Sequence, residues 1–380
     1  MRPLVVLGAT GSIGRQALSV AAELGISVVG LAAQRVGRDL AELAARCPGA
    51  KVAVAGGSKD EREAFSGSMG RRVEFGLEAI TALAASPGCT ILNGIVGAAG
   101  LAPSVAALAA GNRLALANKE SLVVGGDLVT AVLASGGGEL LPVDSEHSAL
   151  HQCLLGERGE TIRRLVLTAS GGPFRGYAGE ELAAVTPEMA LRHPTWKMGR
   201  RITIDSATLF NKGLEIIEAH HLFGVGYDRI EVIVHPESIV HSLVEFVDGS
   251  IKAQVGAPDM RLPIQYALTF PDRLPALRSA FDLTTMPLTF EQPDRVLFPA
   301  IDLAYRAGRE GGSSPAVLNA ADEVAVAAFL EGRLGFTGIA TVVEKTLDLV
   351  DWRILGSVGE ALAVDREARA AAAAVIGGSC

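Results

Sequence analysis

The 380-residue chain has little cysteine, few aromatic residues and a shortage of positive charge. Its four cysteines, Cys47, Cys89, Cys153 and Cys380, are far apart and form no CxxC pair. That spacing argues against a disulfide framework or a cysteine-based zinc site, and it is typical of a reducing cytoplasm. Aromatic residues make up 5% of the chain, so its core must be built from Ala, Val, Leu and Ile. The net charge of −8 argues against a general nucleic-acid binder, since those proteins usually carry a basic surface.

The sequence also lacks a hydrophobic run suited to a membrane. The stretch from Ala79 to Asn112 carries no charge, but several glycines and prolines interrupt it. A membrane-spanning helix needs about 20 predominantly apolar residues, so this stretch predicts a strand, a turn and a short helix instead. Because the opening MRPLVVLGATG leads straight into a predicted strand, we expect no signal peptide. We therefore expect a cytoplasmic protein with no membrane partner.

The first part of the chain alternates short apolar strands with helical stretches. Leu4–Leu7 and Val28–Ala32 are the first two predicted strands, and a helix follows each of them. This alternation is typical of βαβ units in a parallel sheet. It predicts an α/β fold with a Rossmann-like, dinucleotide-binding domain over residues 1–143.

The rest of the chain follows other patterns. Residues 144–268 contain strands and a hairpin turn at Asp248-Gly249, which predicts a central α+β catalytic domain with antiparallel pairing. Residues 269–294 are rich in proline and are predicted to be a linker. Residues 295–380 are rich in alanine with helical stretches, which predicts a C-terminal helical bundle.

A glycine-rich segment follows the first predicted strand and opens a helix. Glycine lets the backbone approach a pyrophosphate, while the helix N-terminus offers unpaired N–H groups and the positive end of its dipole. A tight strand–helix turn without a ligand is the alternative. The position after the first strand favours dinucleotide binding. The predicted cofactor contacts in this turn are Gly8, Thr10, Gly11, Ser12, Ile13 and Gly14.

The end of the second predicted strand indicates which dinucleotide is bound. An NAD site usually has an acidic residue there to hold the ribose 2′-hydroxyl. Here Gln34 and Arg35 occupy the strand end, and no carboxylate comes before Asp39. Arg35 can contact a 2′-phosphate, so the sequence favours NADP. The alternative is that Arg35 and Arg38 are solvated surface charges.

Three carboxylates form a candidate metal site. Asp144 and Glu146 are two residues apart in a segment expected to be extended, so both would point to the same side. Glu215 shares one face of a predicted helix with Asn211 and Lys212. Oxygen ligands without cysteine favour Mg²⁺ or Mn²⁺ over zinc. Acidic pairs are also common on surfaces without any metal.

Lysine is scarce in this chain, which has 34 basic residues but only seven lysines. That scarcity favours a function for Lys119 and Lys212 over an ordinary surface role. Ser170, in a Ser-Gly-Gly-Pro turn, and Ser206, near a helix start, offer hydroxyl groups suited to a phosphate. Taken alone, each serine is more simply explained as a capping residue.

All seven histidines lie between His147 and His241, which marks the middle third as the candidate reaction centre. Either His235 or His241 could contact substrate or be a buried structural histidine. His220 and His221 lie near a predicted helix end, where a structural role is favoured.

The loop from His193 to Gly199 carries Trp196, one of only two tryptophans in the chain. A tryptophan in a loop between two ordered elements is unusual for a core residue. The loop is therefore predicted to be a lid that closes over a substrate.

Taken together, these motifs resemble the 1-deoxy-D-xylulose 5-phosphate reductoisomerase family. The resemblance spans nearly the whole chain in the family's order. The motifs that carry it are GATGSIG, ANKESLV, PVDSEH, SGGPF, HPTWKMG, DSATLFNKGLEIIEA, VHPESIVHS and LNAADEVAVAAFL. It implies a homodimeric enzyme that uses NADPH and a divalent metal (Mg²⁺, Mn²⁺ or Co²⁺) to make 2-C-methyl-D-erythritol 4-phosphate. That reaction is the committed step of the non-mevalonate route to isoprenoid precursors.

The resemblance also implies roles for individual residues. The metal ligands would be Asp144, Glu146 and Glu215, and the pocket for the substrate phosphate would be Ser170, Ser206, Asn211 and Lys212. Other substrate contacts would be Ser145, Lys119, His193, Glu146 and Glu215. The lid would contain His193, Trp196 and Met198, and the catalytic set would be Lys119, Glu146, His147, His193, Trp196 and His241. On the cofactor side the resemblance adds Asn118, Glu120 and Gly199 to the glycine turn, Gln34 and Arg35.

Two rival functions remain open at this point. A metal-free NADP dehydrogenase of the semialdehyde or homoserine type would explain the glycine turn but leave the three carboxylates unused. An NADP-sensing regulatory module would explain the turn but not the cluster of histidines. Metal-dependent turnover separates the first rival from the reductoisomerase, and NADPH consumption separates the second.

Overall fold

A computed structural model describes residues 1–192, 196, 198–277, 282–285 and 287–378. The chain divides into two compact units. The N-terminal unit contains Met1–Ser121, Asp127–Ser148 and the segment that begins at Asp259. The C-terminal unit contains Leu122–Gly126, Ala149–Pro258 and the C-terminal part of the chain.

The first half of the chain alternates strands and helices as the hydrophobic pattern predicts. The strands are β1 (Leu4–Leu7), β2 (Val28–Ala33), β3 (Lys51–Val54), β4 (Val73–Phe75), β5 (Thr90–Asn93), β6 (Arg113–Leu116) and β7 (Glu139–Pro142). The helices are α1 (Ser12–Leu24), α2 (Arg38–Arg46), α3 (Lys59–Met69), α4 (Leu77–Ala84), α5 (Leu101–Ala109), α6 (Glu120–Ala134) and α7 (Ser145–Leu154).

These seven strands form one parallel sheet in the order β4-β3-β2-β1-β5-β6-β7. The chain runs outward from β1 in one direction, returns to β5 beside β1, and then runs outward in the other direction. Sheets of this kind bind ligands at the carboxyl ends of the strands where the order reverses. The reversal lies between β1 and β5, so the predicted Rossmann-like fold is confirmed, and a ligand is expected at this edge.

The segment from Asp259 packs with the N-terminal unit, although the sequence placed it in the catalytic domain and the linker. Helix α12 (Arg261–Thr269) buries Ile264, Ala267 and Leu268 in the same hydrophobic core as α1. At the end of α12, Nη1 of Arg113 donates a hydrogen bond to the carbonyl of Phe270 at 2.6 Å. Apolar burial and this bond hold the segment to the parallel sheet.

A second sheet lies in the C-terminal unit. Its strands are β8 (Ile162–Ala169), β9 (Ile230–Val234), β10 (Val240–Phe246) and β11 (Ile251–Val255), in the order β11-β10-β8-β9. The predicted antiparallel pairing holds for β10 with both of its neighbours. Strands β8 and β9 instead pair in parallel, because the long connection between them contains helices and brings the chain back in the same direction.

Among the described residues, that connection contains four α-helices, and candidate site residues lie on the last two of them. They are α8 (Gly179–Ala183), α9 (Pro187–Ala190), α10 (Arg200–Ala207) and α11 (Phe210–Phe223). The sequence predicts one helix that begins near Ser206 and contains Asn211, Lys212 and Glu215. The structure has two helices instead, and Ser206 lies near the end of the first. Leu209 adopts φ 64°, a left-handed conformation that interrupts the helix, and Oγ1 of Thr208 bonds back to the carbonyl of Ile204 at 3.0 Å. Leucine rarely adopts positive φ, so the sequence offered no signal for this break.

Four helices complete the chain, as the alanine-rich pattern predicts. They are α13 (Ala300–Glu310), α14 (Ser314–Leu330), α15 (Gly338–Leu349) and α16 (Val358–Gly377). Among the described residues, no helix is both long enough and apolar enough to cross a membrane.

Candidate active site

The glycine turn connects β1 to α1 at the carboxyl edge of the parallel sheet. Its amides at Gly8 and Ala9 both donate to the carbonyl of Ala32 on the neighbouring strand, at 3.0 and 2.8 Å. Gly11 is the N-cap of α1 and has no side chain to cap the first turn. Amide groups at the start of α1 are therefore available to an anion, as a pyrophosphate site requires.

Two glycines in this turn are required by close backbone contacts. A Cβ atom at Gly8, where φ is 79°, would lie 2.5 Å from the carbonyl oxygen of Gly94. A Cβ at Gly14 would lie 2.3 Å from the carbonyl oxygen of Gly8. Both contacts are with backbone atoms, which cannot rotate away as a side chain can. The glycine pattern is therefore used for close packing of α1 against the turn, which brings the backbone to where a phosphate would bind.

The residues beyond β2 fit an NADP ribose. Gln34 and Arg35 are exposed directly after the carboxyl end of β2. Asp39, the first carboxylate in this segment, forms an ion pair with Arg15 at 2.6 Å. Arg35 is thus the charged side chain at the strand end, and it carries the sign that a 2′-phosphate needs.

Asn118 and Glu120 bind the protein's own backbone. Nδ2 of Asn118 donates to the carbonyls of Ile95 and Gly97 and to the Glu120 carboxylate, at 2.8, 3.1 and 2.7 Å. The other Glu120 oxygen accepts the amide of Gly97 at 2.9 Å. Both side chains, predicted as cofactor contacts, shape the loop after β5, which lies at the same sheet edge as the glycine turn.

A charged cluster lies where β6 and β7 end. Nζ of Lys119 lies 3.1 Å from one oxygen of Asp144, and Nδ1 of His147 lies 3.0 Å from the other. His147 is fully buried, and Lys119 is 7% exposed. Because charged groups are seldom buried without partners, this ion pair and hydrogen bond are what let Lys119 and Asp144 lie within the protein.

Glu146 and Ser145 belong to the first turn of α7, next to Asp144. One ligand oxygen of Asp144 lies within 4.8 Å of one from Glu146, and the amide of Glu146 donates to Asp144 at 3.2 Å. Oγ of Ser145 donates to the Glu146 carboxylate at 2.5 Å. Two carboxylates this close favour a cation between them, and their oxygen donors suit Mg²⁺ or Mn²⁺. The structure therefore brings together two of the predicted metal ligands, although Glu146 lies in helix α7 and not in the extended segment that the sequence analysis expected.

Glu215 lies in the C-terminal unit on α11 and is 1% exposed. Its carboxylate accepts a hydrogen bond from Nδ2 of Asn211 at 2.5 Å and forms an ion pair with Lys212. Lys212 is itself 3% exposed. The structure thus brings these three predicted residues into one buried cluster, as their helical spacing indicates.

The Ser170 turn packs against α10. Gly171 and Gly172 have φ of 82° and 66°, and the amide of Gly172 donates to Oγ of Ser170 at 3.3 Å. A Cβ at Gly172 would lie 2.9 Å from the carbonyl oxygen of Ser206. The two predicted phosphate-binding serines therefore belong to backbone segments that touch each other.

His241 lies on β10 and is 7% exposed. Burial lowers the pKa of this imidazole, partly offset by the backbone groups of Ala257 and Gly256, so the ring favours its neutral form. The ring centroid of Trp196 lies 6.4 Å from that of His241. The predicted lid tryptophan is thus half-buried beside the predicted active-site histidine.

The remaining predicted residues are placed as follows. His193 lies outside the described residues. Met198 is half-buried, and Gly199 is exposed as the N-cap of α10. His235 is fully buried: its Nδ1 lies 2.8 Å from the carbonyl of Thr289 and 3.0 Å from the Glu237 carboxylate, and its ring stacks on Phe290.

Comparison with known proteins decides the family. Three family models match this chain. The model described as 1-deoxy-D-xylulose 5-phosphate reductoisomerase matches residues 4–126. The model of the 1-deoxy-D-xylulose 5-phosphate reductoisomerase C-terminal domain matches residues 140–223, and the model described as DXP reductoisomerase C-terminal domain matches residues 255–371. The reductoisomerase of Chlorobium chlorochromatii is 50% identical over 377 residues, which is 97% of this chain and 98% of that protein. This chain belongs to the 1-deoxy-D-xylulose 5-phosphate reductoisomerase family.

Solved structures agree with this assignment. The reductoisomerase of Zymomonas mobilis, in complex with NADPH, has a TM-score of 0.91 and 44% identity, covering 99% of each chain. A second reductoisomerase structure, in complex with NADPH, fosmidomycin and magnesium, has a TM-score of 0.91 and 36% identity, covering 99% of this chain and 98% of the other. The family predicted from the motifs is confirmed, and both rival functions are set aside.

The structure gives two glycines a packing role that the sequence does not indicate. The sequence places Gly172 in the Ser-Gly-Gly-Pro turn, and the structure adds its close approach to the Ser206 carbonyl. The sequence marks Gly100 only as an interruption of the uncharged stretch, yet a Cβ there would lie 2.2 Å from Oδ1 of Asn118. Glycines outside a repeating pattern give no sequence signal, because only the fold shows what lies beside them.

Proposed function

We propose that this protein catalyses the isomerisation and NADPH-dependent reduction of 1-deoxy-D-xylulose 5-phosphate to 2-C-methyl-D-erythritol 4-phosphate. The observation that carries the proposal is the placement of three segments at one sheet edge. The glycine turn follows β1, Lys119 follows β6, and Asp144 follows β7, all at the carboxyl ends of parallel strands. A nucleotide-binding turn and a buried cluster of charged residues on the same edge are what a metal-dependent reductase requires.

The metal ligands in this proposal are Asp144, Glu146 and Glu215. All three supply hard carboxylate oxygens, which suit Mg²⁺, Mn²⁺ or Co²⁺. A divalent metal held by these residues would supply Lewis-acid stabilisation of negative charge on the substrate's oxygens. His147 and Lys119 orient Asp144 by contacting both of its oxygens.

Lys119 and Ser145 are proposed to contact the substrate's oxygens. An ammonium group has three N–H donors, so Lys119 can bind Asp144 and still donate to a substrate oxygen that gains negative charge. The Ser145 hydroxyl, now donating to Glu146, can exchange that acceptor for a substrate oxygen. Both residues hold the reacting part of the substrate rather than its phosphate.

The substrate phosphate is assigned to Ser170, Ser206, Asn211 and Lys212. Two hydroxyls, one amide and one ammonium match the acceptor oxygens of a phosphate. The phosphate is remote from the bonds that change, so its binding energy can help close the site and keep water out. We assign that closure to the loop with His193, Trp196 and Met198, with His241 beside Trp196.

NADPH is assigned to the glycine turn, with Gln34 and Arg35 at the adenosine 2′-phosphate and Gly199 as a further contact. NADPH supplies the hydride that reduces the branched aldehyde formed by the rearrangement. The uncapped start of α1 supports this placement, since its amides suit a pyrophosphate. Asn118 and Glu120 support it indirectly, because they fix the loop after β5.

We further propose that the enzyme is a cytoplasmic homodimer. Strand β11 lies at the end of its sheet, and Ile251 and Val255 are 59% and 37% exposed. Val247, in the turn before it, is 66% exposed. Sheet edges with exposed apolar side chains tend to pair with another chain, which supports self-association at this edge.

The proposed function predicts a specific pattern of cofactor consumption. Purified protein should oxidise NADPH only when the deoxyxylulose phosphate and Mg²⁺ or Mn²⁺ are both present, and EDTA should stop the reaction. With NADH, kcat/KM should fall about tenfold or more, because a charge-assisted bond to the 2′-phosphate is lost. Arg35→Ser should reduce this preference, while Arg38→Ser, on an exposed residue paired with Glu42, should not. Turnover that persists in EDTA would contradict the proposal.

Gly172→Ala should weaken binding of the substrate phosphate. The new Cβ would meet the Ser206 carbonyl at 2.9 Å, so the Ser170 turn and α10 must separate. We expect KM for the substrate to rise about tenfold, equivalent to roughly 1.4 kcal/mol, with a smaller change in kcat. Steady-state kinetics with varied substrate measure this.

Gly176→Ala is the matched control for Gly172→Ala. Gly176 has φ of 83°, so alanine there carries a similar backbone strain, but no atom lies within 4 Å of the new Cβ. KM should therefore stay close to the wild-type value. Equal effects of the two substitutions would show that strain in the turn, rather than contact with α10, controls KM.

A further inference from the structure

Asp322 is a buried acidic residue that the proposed mechanism does not use. It lies on α14 and is fully buried. Neither carboxylate oxygen of Asp322 accepts a hydrogen bond from the part of the chain that the structure describes. A buried ionised carboxylate without donors is very costly, so this group must be stabilised in another way.

The nearby arginine does not supply the missing bond. Nη2 of Arg201, on α10, lies 3.7 Å from Asp322, beyond the range of a hydrogen bond. Arg201 instead donates to Glu323 at 2.8 Å and to Asn319 at 3.2 Å. Its charge is therefore directed mainly at the residue next to Asp322.

The surrounding charges disfavour a negative charge on Asp322. Two arginines, Arg201 and Arg369, face the carboxylates of Asp205, Glu323 and Asp365. Ionised Asp322 would add a fourth carboxylate to this set of two cations. The pKa of Asp322 lies well above its ordinary value, mainly because the group is buried and secondly because of the negative charge of Asp205. A proton on Asp322 removes one of the two excess negative charges and creates the donor that is otherwise missing.

We propose that Asp322 and Asp205 share one proton, so that a carboxyl–carboxylate hydrogen bond ties α14 to α10 and positions Ser206. Asp205 is 3% exposed and directly precedes Ser206 in the chain. Both carboxylates lie at the same guanidinium group: Nε of Arg201 is 3.5 Å from Asp205, and Nη2 of Arg201 is 3.7 Å from Asp322. The Ser170 turn packs on the Ser206 carbonyl, so movement of α10 would disturb both serines. The role of Ser206 rests on the proposed function, whereas the shared proton does not. Asp322 is a positioning residue, since it acts through its neighbour.

A shared proton makes stability depend on pH in a defined direction. The folded protein holds a proton on Asp322 that the unfolded chain releases above about pH 4. Stability from this pair is therefore fully present below that pH, and it is lost as pH rises toward the raised pKa of Asp322. Asp322→Asn keeps the size of the side chain and an N–H donor for Asp205, but it cannot ionise.

The test compares wild type with Asp322→Asn, Asp322→Leu and the control Asp351→Asn, which removes an exposed carboxylate. Thermal midpoints are measured from acid to alkaline pH. Wild type and Asp351→Asn should lose stability with rising pH relative to Asp322→Asn. The infrared band of a protonated carboxyl group should be present in wild type at neutral pH and absent in Asp322→Asn. Parallel pH profiles and no such band would overturn the shared proton.

Kinetics test the link to Ser206. Asp322→Leu should raise KM for the deoxyxylulose phosphate about tenfold, with less change in kcat, because a hydrogen bond to a charged group is lost. Asp322→Asn should restore most of the affinity, and NADPH binding should be unchanged in both variants. Equal KM in all variants would overturn the positioning role. Absence of substrate-dependent turnover in wild type would instead contradict the proposed function, and the pH profiles and infrared band would still test the shared proton.

Discussion

Glu215→Gln should lower turnover by about 100-fold or more and weaken Mg²⁺ binding at least as strongly, since even indirect changes near a metal cost about 10- to 100-fold. The substitution keeps the shape of the side chain but removes one of three proposed ligand charges. Metal titrations of activity, together with direct Mn²⁺ binding, measure the effect. NADPH binding should persist, because the glycine turn belongs to the N-terminal unit.

The local surroundings of Glu215 require a second measurement. Its carboxylate also accepts hydrogen bonds from Asn211 and Lys212, so the glutamine could disturb that cluster as well as the metal. Thermal unfolding without metal reports on the cluster alone, and added Mn²⁺ should stabilise wild type more than the variant. Glu344→Gln, an exposed residue on α15, is the control for loss of a carboxylate. Wild-type metal dependence in Glu215→Gln would remove this residue from the metal site.

Gly14→Ala should have the largest effect on the cofactor-binding unit. Its Cβ would lie 2.3 Å from the carbonyl oxygen of Gly8 and 2.7 Å from Cα of Ala9, and both contacts are with backbone. Helix α1 must then move away from the turn. We expect a loss of about 1–3 kcal/mol in the free energy of unfolding, as for other overpacked sites. NADPH affinity should fall about tenfold or more, since displaced amides lose their bonds to the pyrophosphate.

Gly67→Ala is the matched control for that substitution. Gly67 lies inside α3 in the same unit, and no atom lies within 4 Å of its new Cβ. Alanine there should stabilise the protein by about 0.5–1 kcal/mol through better helix propensity. Urea unfolding and NADPH titration compare the two variants. If Gly14→Ala unfolds and binds NADPH like Gly67→Ala, the close contact at the turn does not control the cofactor site.

Much of the N-terminal unit was predictable because its signals are local. Each strand is a short apolar run, and each is followed by a helix whose apolar residues recur on one face. The glycine turn was recognisable because its spacing and its place after β1 lie within a few residues of sequence. The helical cluster of Asn211, Lys212 and Glu215 was predictable for the same reason, since a helix brings such positions together.

Other features depended on partners far away in the chain. The position of α12 on the N-terminal core depends on α1 and on Arg113, more than 140 residues earlier. The break at Leu209 depends on a left-handed backbone that leucine does not favour by itself. Asn118 and Glu120 have the chemistry of ligand contacts, and only the folded loop shows that they hold Ile95 and Gly97.

The sequence by itself determined the chemical inventory and the family: a nucleotide turn, oxygen ligands, scarce lysines and motifs in the order of a reductoisomerase. Residue type and short spacing are enough for this, because they limit which groups can bind phosphate, metal or hydride donor. Only the tertiary structure decided how each charge is satisfied. Lys119 contacts Asp144, Lys212 contacts Glu215, and Asp205 and Asp322 both lie near Arg201. Burial makes such pairing obligatory, and burial arises only when distant parts of the chain pack together.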